Sequence, residues 1–262
     1  MKNISLPSLS LFILFAAFFS IPCYAGEQMP KRVKTSGEIP SDAVVIFNGK
    51  STKMLVGVNG EKCNWLVENG ILICQPQNSK QHQSLWTTLH FRDAQVHVEF
   101  MIPPSDKKGE KSGNSGLYFH GLFEQQILAS QDDTVPPKKM MGSLYRIKSP
   151  LVNASRKTGE WQTYDIIFKA PRRNKKGEPI KAGSFTTFLN GVIVQWETPV
   201  LKRVSRFTRL YFRTTSYSDS ILKSLQKTEC GPLQLQDHHQ PVQFRKIWIR
   251  PLDNKSFLFR SQ

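Results

Sequence analysis

The strongest constraint on this chain is the alternation in Gln95-Val-His-Val-Glu-Phe-Met-Ile102. Val96, Val98, Phe100 and Ile102 fall on one face, and Gln95, His97, Glu99 and Met101 on the other. A two-residue period buries one side of a pleated strand and cannot lay an apolar stripe along a helix. Residues 161–170 repeat the pattern and gather Tyr164, Ile166 and Phe168. Asn69-Gly70 lies between Trp65-Leu-Val67 and Ile71-Leu-Ile73, and Asn190-Gly191 between Thr187-Phe-Leu189 and Val192-Ile-Val194. Asn-Gly adopts the positive φ angles of a tight two-residue turn at little cost, so both pairs are read as hairpins.

Helical spacing is confined to 218–227, through Ile221, Leu222 and Leu225. Segments 103–112, 131–139 and 172–181 carry charges with Gly, Pro or Asn and read as loops. Many short strands with few helices, and no internal repeat, predict an all-β sandwich of two antiparallel sheets.

The first 25 residues read as a secretory signal peptide: Lys2, an apolar run over 11–21, then Ala25 before Gly26. The run is short for a membrane span. The expected layout is a flexible segment over 26–41, one domain over 42–252 and a tail over 253–262. The expected location is periplasmic or extracellular. Cys23 leaves with the signal peptide, so Cys63, Cys74 and Cys230 remain and cannot all pair within one chain. Cys63 and Cys74 flank a hairpin and are candidates for a bridge, with Cys230 then a buried free thiol.

The chain has 36 basic and 20 acidic residues and a net charge of +16. Such a field attracts polyanions, an anionic glycan among them. Its clusters at 107–111 and 172–176 fall in the expected loops and read as solvated rather than as a binding groove. With an export signal, nucleic acid is not an expected partner. Gly113-Asn-Ser-Gly116 lacks the spacing of a serine nucleophile elbow, and no zinc-binding motif is present.

Several segments, in order, resemble the 3-keto-disaccharide hydrolase domain family of exported bacterial proteins. They are Val45-Ile-Phe-Asn-Gly-Lys50, Gly113-Asn-Ser-Gly-Leu-Tyr118, Phe123-Glu-Gln-Gln-Ile-Leu128 and Leu151-Val-Asn-Ala-Ser155. Gly159-Glu-Trp-Gln-Thr-Tyr-Asp-Ile166, Asn190-Gly-Val192, Gly231-Pro-Leu-Gln-Leu-Gln-Asp-His238 and Phe244-Arg-Lys-Ile-Trp-Ile-Arg-Pro-Leu252 follow. The resemblance implies a concanavalin A-like jelly roll acting on glycosides oxidised to a ketone at sugar carbon 3. Three positions depart from the family pattern: Ala129 stands for a common aspartate, His120 for a common arginine and His239 for a usual glycine.

A ketone at carbon 3 acidifies the proton on carbon 2. Such chemistry needs a base, a stabiliser for the developing enolate and an acid for the leaving group. The paired carboxylates of ordinary glycosidases are not required. Glu124 is the expected base, sharing a strand face with Gln126, and His238 its partner in proton transfer. Asn114, Tyr118 and His120 share a face if their strand runs without a bulge, and with Gln126 and Gln236 they are candidates for binding sugar hydroxyls. Lys148 and Arg245 are candidate cations. His97 and Glu99 form an alternative acid–base pair. No cofactor is evident, although a divalent metal held by Glu124 and His238 would suit an enolate. A non-catalytic glycan-binding sandwich is the competing reading.

Overall fold

The computed structural model describes residues 31–34, 39–74, 84–105, 113–131, 135–201 and 215–259. In chain order the first strands are β1 (Val44–Phe47), β2 (Leu55–Gly57), β3 (Leu66–Glu68), β4 (Ile71–Ile73), β5 (Leu85–Thr87) and β6 (Leu89–His90). Next come β7 (Ala94–Met101), β8 (Asn114–Phe119), β9 (Phe123–Leu128), β10 (Trp161–Lys169), β11 (Arg172–Arg173) and β12 (Pro179–Lys181). The last are β13 (Gly183–Leu189), β14 (Val192–Val200), helix α1 (Ser216–Thr228), β15 (Leu233–Leu235), β16 (Gln243–Pro251) and β17 (Phe257–Leu258).

These strands form a jelly-roll sandwich. The larger sheet runs β14-β13-β10-β7-β16-β4-β3, with β1 also on β16; the smaller runs β2-β5-β15-β8-β9. Both are antiparallel. The chain divides into two units, Met1–Val33 and Lys34–Gln262, and the sandwich belongs to the second. The expected signal peptide lies outside the described residues, as does most of the expected flexible segment.

The alternation that defines β7 sets the centre of the larger sheet. Ala94, Val96, Val98 and Phe100 are fully buried while their odd-numbered neighbours reach solvent. Both hairpins form as expected: Asn69 and Gly70 have φ of 50° and 77°, Asn190 and Gly191 of 54° and 82°. Between the sheets, Phe119 of β8 meets Phe168 of β10 at 5.0 Å and Phe185 of β13 at 4.9 Å, ring centre to ring centre. Burying each such ring is worth roughly 1.5–3 kcal/mol.

Four local expectations change. Segment 172–181 is not a loop: β11 and β12 pair antiparallel. The Asn174 side chain closes their turn by accepting from the amides of Lys176 and Glu178 at 2.9 and 3.0 Å. Helix α1 starts earlier than the apolar spacing suggests, because Thr215 and Ser218 cap each other reciprocally. The expected tail instead carries β17, paired with β6, and the Phe259 ring stacks on His90 at 4.3 Å. Cys63 and Cys74 are both free. The register pairs Leu66 with Ile73, so a continued ladder brings Trp65, not Cys63, opposite Cys74. Cys230 is a buried free thiol, and burial pushes its pKa up to about 11.

Two core histidines carry a stability consequence. Burial lowers the pKa of both His90 and His120 from 6.5 to about 3. The unfolded chain therefore takes up a proton on each near pH 6.5, while the folded chain resists until near pH 3. Stability is complete above the unfolded value and is lost as the pH falls towards the folded one, at about 1.4 kcal/mol per histidine per pH unit. Urea unfolding followed from pH 7 to pH 4 should show this slope. His90→Phe should roughly halve it; an unaltered slope would mean that His90 already carries a proton in the fold.

Candidate active site

The smaller sheet has one face in the core and one facing away from it. Leu117 and Phe119 of β8, Phe123 and Ile127 of β9, and Leu233 and Leu235 of β15 belong to the core cluster. Their alternate neighbours must project to the other side. The ladder runs unbroken from Asn114 opposite Leu128 to Phe119 opposite Phe123. It therefore aligns Trp86, Gln234, Tyr118 and Glu124 in one row across β5, β15, β8 and β9. The next row holds Gly116 opposite Gln126, with the Gln236 amide bonded to the Gly116 carbonyl at 3.0 Å. Beyond β9, the Gln126 amide donates to the Ser143 carbonyl and the Tyr145 amide to the Glu124 carbonyl, each at 3.0 Å. That edge segment sets Ser143 beside Gln126 and Tyr145 beside Glu124.

Gly116 shapes the middle of this face. A Cβ there would lie 2.6 Å from Glu124 Oε1 and 3.1 Å from its carboxyl carbon. The carboxylate thus lies across the glycine, in space that any other residue would fill. Its surroundings are polar yet enclosed: Asn114, Tyr118, Glu124, Gln126, Gln234 and Gln236 are all buried. Neither carboxamide atom of Gln234, nor Ser143 Oγ, has a hydrogen-bond partner among the described residues. A buried polar group left unbonded costs about 1–3 kcal/mol. Collecting such groups around one carboxylate makes a surface suited to a ligand rich in hydroxyls.

Asn114, Tyr118, Glu124, Gln126 and Gln236 are therefore brought together. His238 is half-buried on the connection just past Gln236, where the ladder with β8 has ended. Its backbone neighbours are fixed by the Asp237 amide on Ser84 Oγ at 3.0 Å and the His239 amide on Asp237 Oδ1 at 2.7 Å. Lys148 is exposed in a tight turn at the edge, its amide bonded to the Leu144 carbonyl.

Two expected residues are elsewhere. His120 leaves the face because it begins the β8–β9 turn with a φ of 57°. Its ring sits in the core between Phe91 and Phe168, with Nε2 2.7 Å from the Phe91 carbonyl. Arg245 belongs to β16 and faces outward from the larger sheet. Its Nε donates to Glu99 at 2.5 Å, and its guanidinium lies 3.9 Å above the Trp161 ring. His97 is on that outward face too, with Nδ1 2.7 Å from Asp165 Oδ1 and its ring stacked on Trp248 at 5.1 Å. His97 and Glu99 are remote from the Glu124 face and tied into this surface network.

Gln234, Gly116, Ser143 and Tyr145 were not expected. Gln234 could have been found, since it shares the strand parity of Gln236. Ser143 and Tyr145 depend on a long-range edge pairing that no local pattern announces. No three His, Cys, Asp or Glu side chains among the described residues are grouped closely enough to hold a metal ion.

The model of the 3-keto-alpha-glucoside-1,2-lyase-like domain matches residues 42–250. The chain belongs to this family. It is similar to two putative glycosyl hydrolases from Parabacteroides distasonis ATCC 8503. One is 30% identical with a TM-score of 0.71, over 86% of this chain and 93% of the other. The second, 18% identical with a TM-score of 0.54 over 80% and 94%, shares the fold. Comparison with curated proteins gave no significant match. The family and the 30%-identical relative together mark a carbohydrate-active enzyme.

The contact between Gly116 and Glu124 can be tested without substrate. Gly116→Ala should destabilise by about 1–3 kcal/mol, as small-to-large changes in packed sites do. In a Glu124→Ala background the same change should cost almost nothing. Additive penalties in that double-mutant cycle would show that the carboxylate does not occupy the hollow.

Proposed function

We propose that this protein is an exported enzyme that cleaves 3-keto-glycosides by elimination followed by hydration, with Glu124 as the base. The observation that carries the proposal is the Glu124 carboxylate lying over Gly116 in an enclosed polar face. Glu124 removes the proton on carbon 2, the pair of that C–H bond becomes an enolate with the carbon 3 ketone, and the bond from carbon 1 to the aglycone oxygen breaks. The departing oxygen takes a proton, leaving a double bond between carbons 1 and 2 conjugated to the ketone. Water then adds, its hydroxyl to carbon 1 and a proton to carbon 2, releasing the free 3-keto sugar.

His238, on the connection adjoining the face, is the proposed donor to the leaving oxygen, since an imidazole titrates near neutrality. Asn114, Tyr118, Gln126 and Gln236 are the proposed hydroxyl-binding groups, joined by Gln234, whose carboxamide has no partner among the described residues and offers both donor and acceptor. The reaction as written needs no cofactor, and a divalent ion would assist by stabilising the enolate. The sequence of the first 25 residues supports export.

A non-catalytic glycan-binding role draws on one specific feature. Ala129, buried just past the end of β9, departs from the aspartate that the family resemblance implies at this position. Aglycone release from a chromogenic 3-keto-glucoside separates the two readings. Glu124→Gln should lower kcat about 10²–10⁴-fold, the usual contribution of a positioned base, with little change in Tm. His238→Ala should lower kcat most for poor leaving groups. Sugar affinity without any release by the wild type would favour the binding role, and unaltered release by both variants would remove these residues from the chemistry.

A further inference from the structure

Away from the Glu124 face, the C-terminal end of α1, the β11–β12 hairpin and the chain entering β17 enclose a cleft of about 490 Å³. That volume is in the range of small-ligand sites. Five cationic residues line it, Arg92, Arg173, Lys175, Lys227 and Lys255, against a single carboxylate, Glu229. Phe257 contributes an aromatic wall. No residue of the Glu124 face takes part. The basic cluster at 172–176, expected to be merely solvated, thus supplies Arg173 and Lys175 to a concave site.

The cations are not equally committed. Arg92 is neutralised by Glu229 at 3.1 Å and Asp253 at 2.7 Å. Asp93 is engaged by Arg172 at 2.5 Å. Arg173 is held in place without being neutralised: its Nη1 donates to the Gly177 carbonyl at 2.7 Å, while Glu229 Oε1 accepts from its backbone amide at 2.6 Å. Burial lowers the Arg173 pKa, and the nearby Glu229 charge only partly opposes the shift. Lys175, Lys227 and Lys255 are exposed and form no ion pair among the described residues. The carbonyl end of α1 works against an anion, but the partial charge of one helix end is small beside the surplus positive charge.

We propose that this cleft binds an anionic sugar unit, bearing a carboxylate or a sulfate. Arg173 and the three lysines hold the charged group, and Phe257 packs against the ring. The anion half stands on the charges alone; the sugar half rests on the carbohydrate reading above.

Calorimetric titration with glucuronate, glucose 6-sulfate, glucose and inorganic sulfate tests both halves. The charged sugars should bind, more weakly as salt is added, and glucose should not. Lys175→Ala/Lys227→Ala/Lys255→Ala should weaken binding more than 10-fold. An equal loss of charge at exposed lysines elsewhere, Lys50→Ala/Lys53→Ala/Lys157→Ala, should change it less than twofold. Glu124→Gln should bind normally, which separates this site from the fate of the catalytic proposal. Equal weakening by the two triple variants would replace the cleft with a diffuse positive field, and loss of binding in Glu124→Gln would move the anion to the other face. Inorganic sulfate binding as tightly as the charged sugars would overturn the sugar half.

Discussion

The two-residue period of β8 and β9 governs everything else in the site. Leu117, Phe119, Phe123 and Ile127 are drawn into the core by the hydrophobic effect. Asn114, Gly116, Tyr118, Glu124 and Gln126 then have nowhere to go but the opposite face. The cost of enclosing so many polar groups is tolerated because the aromatic packing between the sheets is dense. Phe168 and Phe185, 4.9 Å apart, both meet Phe119 from the facing sheet. Core and site are two sides of one pair of strands.

Functional charge is distributed unevenly over this scaffold. The larger sheet's outward surface neutralises itself: His97 engages Asp165, while Arg245 and Lys246 both engage Glu99. The Glu124 face carries one carboxylate amid neutral amides and hydroxyls. The cleft below α1 carries surplus positive charge. A jelly roll thereby presents three chemically different surfaces without any change in its frame.

Legibility in the sequence followed the range of the determining interactions. The strands at 94–101 and 161–169 and both Asn-Gly hairpins were readable because they are specified within a few residues. Glu124 with Gln126 and Asn114 with Tyr118 were readable as pairs for the same reason. That the pairs adjoin depends on register, which follows once the strands are neighbours. The β11–β12 hairpin was missed because Asn174 side-chain bonds, rather than apolar alternation, hold it. Arg245 was assigned to the site on chemical type, and its sheet membership could not be inferred from composition.

His120 touches no proposed ligand position, yet it governs where Glu124 points. The imidazole is wedged beside Phe91 and Phe168 and bonded to a carbonyl of a neighbouring chain segment. A strand pair that slid by a single residue would exchange its two faces, sending the carboxylate inward and the leucine and phenylalanine rows out. Such a slide would also have to extract this ring from its socket. The residue that opens the turn is thus a register pin, and it keeps the Glu124 face in phase from inside the core.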